Sequence, residues 1–304
     1  MTTLNDAAIQ RLRVAAMWPV LPGERYRDVT LLARGGMGTI YRAVDTVLAR
    51  DVAIKVSNAV SHAPAVASAS DLDARLADES RTLAALEHPG IVPVHDAGVL
   101  ADGRSFYVMR LVTGPTLAAH RDTVGALGAR LSLLERVADT VAFAHARGIT
   151  HRDLSPSNIM MGDFGDVLVL DWGVAQRSAD PDGLRVGTPG FMAPEAGTGS
   201  GSGPAIDIYA LGRLLEWMCE GQAMDRRLRA IVTRCTETAP ADRYPSVTAL
   251  LRDLAAYRAG APMTAYRESA LERAGLWMRR HQLMLWLIAA YVVMRAALIW
   301  YLRR

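Results

Sequence analysis

The stretch His151-Arg152-Asp153-Leu154-Ser155-Pro156-Ser157-Asn158 constrains this chain more than any other. It lies between a helical pattern, Leu131–Arg147, and an apolar run, Val167–Leu170, that ends at Asp171. A potential base, an amide and a carboxylate therefore fall within one loop and one short hairpin. Flanking apolar segments would hold such a polar cluster against a core.

Composition sharpens one position. Of the 34 lysine and arginine residues, only Lys55 is a lysine. Arginine is the default cation here, so a surviving lysine marks a site where a planar fork cannot replace a compact point charge. Lys55 ends the run Val52-Ala53-Ile54, within a strand expected over Asp51–Val56. The net charge of +3 does not argue for nucleic-acid binding. Two cysteines, Cys219 and Cys235, sit in helical patterns without metal-ligand spacing and are expected to be buried core thiols in a reducing compartment. Asp6, Arg11 and Arg13 interrupt the first residues, so no signal peptide is expected.

Upstream, strand patterns at Val29–Ala33 and Tyr41–Val44 flank Arg34-Gly35-Gly36-Met37-Gly38. Glycines between two strands let backbone N–H groups approach phosphate oxygens with no Cβ in the way. Without Gly-Lys-Ser/Thr and a following helix, this is not a Walker loop. Residues 57–70 read as a flexible loop, and Leu72–Leu86 has helical periodicity and carries Glu79, nine residues before His88-Pro89. Strands are expected at Ile91–Val94 and Phe106–Leu111. Further helices are expected at Leu117–His120, Ile206–Met218, Leu228–Arg234 and Val247–Tyr257.

Taken in order, these motifs resemble those of protein kinases, specifically the bacterial serine/threonine kinases of the eukaryotic-like (Hanks) type, over roughly residues 25–258. The resemblance covers the glycine-rich loop, Lys55, Glu79, the Met109-Arg110-Leu111-Val112 hinge, the His151–Asn158 loop, Asp171-Trp172-Gly173, Ala193-Pro194-Glu195 and Arg243. It implies an α+β, bilobal fold with a small β-rich lobe over about 25–112 and a large helical lobe over about 113–258. Residues 1–24 would be an amino-terminal extension.

The same resemblance implies ATP and Mg²⁺ as cofactors and protein serine and threonine hydroxyls as acceptors. Asp153 and Lys55 would be catalytic. The nucleotide would be held by Leu32, Ala33, Arg34, Gly35, Gly36, Met37, Gly38, Ile40, Ala53, Lys55, Glu79, Met109, Leu111 and Val112. Asn158 and Asp171 would hold the metal, Thr188 would serve substrate docking, and Glu195 and Arg243 would form a structural pair. Ser178 is the only hydroxyl candidate for phosphorylation in the loop 174–187. Three departures stand out: Ala33 replaces the first glycine, Ser155 a lysine, and Trp172 a phenylalanine. Ala33 and Ser155 motivate a rival, a pseudokinase scaffold. A small-molecule phosphotransferase is a third possibility, against which Thr188 and Ala193-Pro194-Glu195 speak.

Residues 259–282 read as a charged juxtamembrane segment, helical from Ala265 to Arg280. Residues 283–302 contain one charge, Arg295, among apolar residues. Twenty residues at helical rise span about 30 Å, the thickness of a hydrocarbon core. Trp286, Trp300 and Tyr301 suit the interfaces, and Arg273, Arg279 and Arg280 would keep the large domain cytoplasmic. The expectation is a single-pass protein of the cytoplasmic membrane, with protein substrates, no nucleic acid and room for a homodimer. Only Arg303 and Arg304 follow, so no sensor domain is expected beyond the helix.

Overall fold

The computed structural model describes residues 18–21, 23–36, 38–58, 69–121, 124–163, 165–172, 176–177, 188–197, 203–269, 272, 275, 277–278 and 281–302. Met37, Gly173, Ser178, Arg273, Arg279, Arg280, Arg303, Arg304 and the first 17 residues lie outside them.

The amino-terminal lobe is a five-stranded antiparallel sheet in the order β1-β2-β3-β5-β4. Its strands are β1 (Tyr26–Arg34), β2 (Gly38–Asp45), β3 (Arg50–Ser57), β4 (Val94–Val99) and β5 (Ser105–Arg110). Alternation divides the central strand β3 between two faces. Val52, Ile54 and Val56 join Tyr41, Ala43, Phe106 and Val108 in a small core. Ala53, Lys55 and Ser57 point to the opposite face, towards α1 (Ala69–Ala84).

The expected strand at Ile91–Val94 is displaced. Pairing begins at Val94, and Ile91 makes only an isolated parallel bridge to Val169. Pro93 has no N–H to offer a ladder at that point.

The second lobe is helical. After the short α2 (Leu117–His120), α3 (Leu127–His145) runs through its centre, with Leu134, Val137, Ala138 and Val141 fully buried. Against it pack α4 (Ala205–Met218) and α6 (Val247–Arg258), and α5 (Arg226–Cys235) packs against both of these. Gly212 allows α4 and α5 to meet, since a Cβ there would lie 2.3 Å from the Cys235 Cβ. Both cysteines are buried as expected, and burial pushes the Cys235 thiol well up. Between α3 and α4 lie the short strands β6 (Ile149–Thr150), β7 (Ile159–Met161), β8 (Val167–Val169) and β9 (Gln176–Arg177). β7 and β8 form a hairpin, and β6 pairs with β9.

The helix expected over 265–280 is present at Glu272, Gly275, Trp277 and Met278, but residues 261–269 correct its start. They form no helix but run as a strap along the helical lobe. The buried Asp253 carboxylate anchors it, accepting from the Thr264 and Ala265 backbone N–H groups at 2.8 Å and from the Thr264 hydroxyl at 2.9 Å. Arg227 reaches the buried Glu268 at 3.3 Å. These fixed partners outweigh the helical propensity of the segment. Beyond it, α7 (Gln282–Leu302) is the one helix among the described residues that is long and apolar enough to cross a membrane. None of its apolar window Met284–Leu302 is buried against the rest of the chain.

Candidate active site

A cavity of 460 Å³ lies between the two lobes. Its roof is the β1–β2 hairpin. Residues Ala33 to Gly36, Gly38 and Ile40 line it. Of these glycines, Gly38 is required by close approach: a Cβ there would lie 2.8 Å from the Val56 carbonyl oxygen. The β2–β3 register sets Ile40 opposite Lys55, which brings both to the cavity.

Lys55 is buried and fully engaged. Its Nζ donates to both Glu79 carboxylate oxygens at 2.8 Å and to Asp171 Oδ1 at 3.0 Å. The Tyr107 hydroxyl donates to the same Glu79 at 3.0 Å. Burial works against the ammonium charge, but Glu79 and Asp171 outweigh it and hold the Lys55 pKa above its ordinary value. One turn and a half earlier on α1, Asp73 makes a second attachment to the sheet. It accepts from the Ser57 hydroxyl and, at 2.8 Å, from the Ser105 N–H.

The floor is the His151–Asn158 loop. The fully buried Asp207, at the start of α4, holds it in shape. Its carboxylate accepts from the backbone N–H of His151 and of Arg152, both at 2.8 Å, and pairs with His145 Nε2 at 2.7 Å. Burial would raise the Asp207 pKa; the bonds from His145 and the His151 backbone outweigh it and hold the pKa low. His151 takes the Asp153 N–H on Nδ1, so its Nε2–H donates to the Leu170 carbonyl at 3.0 Å. Arg152 and Asp171 adopt positive φ values, +70° and +61°, a conformation disfavoured for residues with a Cβ. Such backbone persists only where surrounding contacts over-determine it.

Asp153 is oriented by three donors. Thr188 gives its N–H and its hydroxyl to Oδ1 at 2.8 and 2.7 Å, and Asn158 Nδ2 gives to Oδ2 at 3.0 Å. Because Nδ2 also bonds the Asp153 carbonyl at 2.8 Å, the Asn158 amide oxygen is left to face elsewhere. Asp171 is half exposed towards the cavity and shares its lining with Asn158. Hard oxygen donors of this kind fit Mg²⁺, which typically takes one or two protein oxygens beside phosphate and water. Trp172 is buried behind Asp171. Its Nε1–H donates to the Val169 carbonyl at 3.1 Å, and its ring meets His151 edge-on at 4.6 Å.

Most residues singled out from the sequence thus converge. Ala33, Arg34, Gly35, Gly36, Gly38, Ile40, Lys55, Glu79, Met109, Asp153, Asn158 and Asp171 border the cavity. Leu32, Ala53, Leu111 and Val112 do not; Leu32 sits at a register irregularity of β1 and is 49% exposed. Ser155 is fully buried, is not part of the cavity wall, and its hydroxyl has no hydrogen-bond partner among the described residues. Ser157 lines the cavity in its stead. Sequence reasoning overlooked Tyr107, Asp207 and Asp73. For Asp207 the one available signal was a carboxylate opening an otherwise apolar helix. Away from the cavity, Arg243 forms a two-pronged pair with Glu195 at 2.6 and 2.8 Å and also bonds three backbone carbonyls.

Residues 26–243 match the protein kinase domain family. The chain is 31% identical to the serine/threonine-protein kinase PknD of Chlamydia pneumoniae over 301 residues, covering 79% of this chain and 32% of that protein. It is 39% identical to PknA of Mycobacterium tuberculosis over 198 residues, covering 62% and 45%. It is 38% identical to the DNA damage-responsive serine/threonine-protein kinase RqkA of Deinococcus radiodurans over 210 residues, covering 65% and 30%. The chain therefore spans between about a third and a half of the length of these curated relatives.

Proposed function

Because this chain belongs to the protein kinase family, among the bacterial serine/threonine kinases, we propose that it transfers the γ-phosphate of ATP to serine and threonine hydroxyls of proteins, with Mg²⁺, from the cytoplasmic face of a membrane. One observation carries this reading. Asp153, oriented by Thr188 and Asn158, shares a single cavity with the Lys55–Glu79–Asp171 triad.

Phosphoryl transfer asks little covalent chemistry of a protein; it asks for alignment and for compensation of phosphate charge. Lys55, kept protonated and pinned by Glu79, exchanges its bond to Asp171 for the α- and β-phosphates, which frees Asp171 for the metal. Backbone N–H groups of the glycine-rich loop, that of Gly36 among them, cover the phosphates from above, while the Gly35 N–H holds the loop closed on the Gly38 carbonyl. Asn158 and Asp171 would hold Mg²⁺, which when bound neutralises charge on the phosphate oxygens. Asp153 accepts the hydrogen bond of the incoming hydroxyl, aligns it with phosphorus and takes its proton as the new O–P bond forms and the bond to the departing ADP oxygen breaks. Thr188 lies beside Asp153, where it orders both the base and the approaching peptide.

The domain division read from the sequence forms part of this proposal: a kinase domain over 25–258, a juxtamembrane segment over 259–282 and a membrane helix over 283–302. Supporting the anchor is the apolar window of α7, none of which is buried against the rest of the chain. Within it, Arg295 bonds the Tyr291 hydroxyl at 3.4 Å, a polar partner that softens the cost of a charge at that depth.

Full-length protein in detergent, given labelled ATP and Mg²⁺, should phosphorylate itself or a generic protein substrate, and Asp153→Asn should not. Nucleotide binding without transfer in the wild type would instead establish the scaffold. Alkaline extraction should leave the protein in the membrane pellet; its release would exclude a spanning helix.

A further inference from the structure

We propose that Asn58, the residue after β3, is a positioning residue for the nucleotide's phosphates: it clamps the glycine-rich loop in its cavity-facing shape. The inference rests on the phosphotransfer reading and assigns a role outside the motifs that suggested it.

The geometry is a relay of two hydrogen bonds. Asn58 Nδ2 donates to the Gly35 carbonyl at 2.7 Å, and the Thr39 hydroxyl donates to Asn58 Oδ1 at 2.8 Å. A carbonyl can only accept, so Gly35 dictates which end of the Asn58 amide faces it; the other end must then accept from Thr39. Thr39 is 3% exposed, which gives the relay a fixed base in β2. The loop closes on itself through the Gly35 N–H, which donates to the Gly38 carbonyl at 2.9 Å. One small amide thus spans both limbs of the hairpin and ties them to the end of β3.

Among the described residues, little else holds the loop. Added Cβ atoms at Gly35 and Gly36 would meet almost none of their atoms, so they give those two glycines no packing from above. Glycines carry the largest backbone entropy to lose. Fixing the Gly35 carbonyl also fixes the peptide plane that joins Gly35 to Gly36, and with it the direction of the next N–H. Asn58 therefore orders in advance a donor that ATP would otherwise have to order on binding.

The same strand end carries Lys55 and Ser57, which attach α1 through Glu79 and Asp73. Residues 55–58 thereby gather the roof and the helix at one point.

The test is calorimetric binding to the full-length protein in detergent, with a non-hydrolysable ATP analogue and, separately, adenosine. Asn58→Ala should weaken the analogue roughly fivefold, the size expected for a lost hydrogen bond of typical net worth, and leave adenosine within a factor of about two. Asn58→Asp keeps the acceptor for Thr39 but sets a carboxylate against the Gly35 carbonyl, so it should weaken the analogue at least as much. Thr39→Val should act in the same direction and serves if Asn58→Ala does not fold. Equal weakening of analogue and adenosine would show a merely structural role and overturn the proposal, as would unchanged analogue affinity. A wild-type protein that binds the analogue but transfers no phosphate would overturn the functional reading while leaving the clamp in place. Failure of the wild type to bind nucleotide would overturn both.

Discussion

The indole Nε1–H of Trp172 donates to the Val169 carbonyl three residues earlier, at 3.1 Å. A phenylalanine, the residue the family pattern carries there, could fill much of the same buried volume but could not make this bond. The bond closes a turn around Asp171, whose left-handed backbone conformation is costly on its own. Trp172→Phe should fold, but melt lower by roughly 3–5 °C, as expected for losing about 1–2 kcal/mol in a domain of this size. It should also raise the Mg²⁺ concentration that gives half-maximal phosphate transfer, because Asp171 is less firmly held. An unchanged melting temperature and an unchanged Mg²⁺ requirement would mean that the bond does not restrain the turn.

Lys55→Arg exchanges one cation for another in a chain that otherwise uses arginine throughout. The site nevertheless suits only a compact ammonium. Three oxygens converge on one nitrogen at 2.8 to 3.0 Å, in a pocket where the Lys55 side chain is 8% exposed. A planar guanidinium is larger and cannot present three donors from one atom. Transfer should fall by roughly a hundredfold or more, the scale of losing a preorganised electrostatic contact. Circular dichroism should show the fold retained. Wild-type rates in this variant would remove the significance of the solitary lysine.

The residues with chemistry were legible because short motifs fix them relative to apolar strands. Lys55 follows three apolar β3 residues, and Asp171 ends the run begun by β8. Their supports were not legible, because support here means contact across long separations. Asp207 lies 56 residues from the His151 backbone it holds, and Asp73 lies 32 from Ser105. No spacing rule connects such pairs; only the packed lobes bring them together. The start of the juxtamembrane helix, residues 265–269, was misread for the same reason. Its own residues suit a helix, and the competing partner, Asp253, is on another element. The strand misplaced at Ile91–Val94 was a local error, since Pro93 stood in the sequence as a warning.

Acid should destabilise the sheet lobe through Asp45. Its bond to Arg25, aided by the Val47 and Leu48 N–H groups, holds its pKa at about 2, below the ordinary 3.8. A carboxyl with a depressed folded-state pKa contributes stability that is fully present above the unfolded value and is lost as pH falls through the folded one. The melting temperature should therefore lose the Asp45 contribution between pH 3.8 and about 2. Asp45→Asn should start lower at neutral pH and fall less steeply across that window. Parallel curves for the two proteins would show that Asp45 carries none of the acid sensitivity.

Ser155 poses the sharpest question about rate. Its side chain is fully buried, its hydroxyl has no partner among the described residues, and the cavity wall passes it by at Asp153, Ser157 and Asn158. The Ser155 carbonyl accepts from the Asn158 N–H at 3.0 Å, but the hydroxyl itself adds neither a bond nor a charge where it stands. The family pattern puts a lysine here, beside the transferring phosphate. Lys55 cannot substitute, since Glu79 pins it and its remaining capacity serves the α- and β-phosphates. Ser155→Lys offers a chain long enough to leave the buried position and reach the cavity with its ammonium. The phosphate would then gain a cation at the point where charge moves in transfer. Turnover should rise by about tenfold or more, with little change in KM for ATP, because the contact strengthens in the transition state rather than in the bound nucleotide. The hydroxyl has no bond to lose, so the substitution should not lower the melting temperature by more than about 3 °C. An unchanged turnover in a folded Ser155→Lys protein would show that another group already compensates the transferring phosphate.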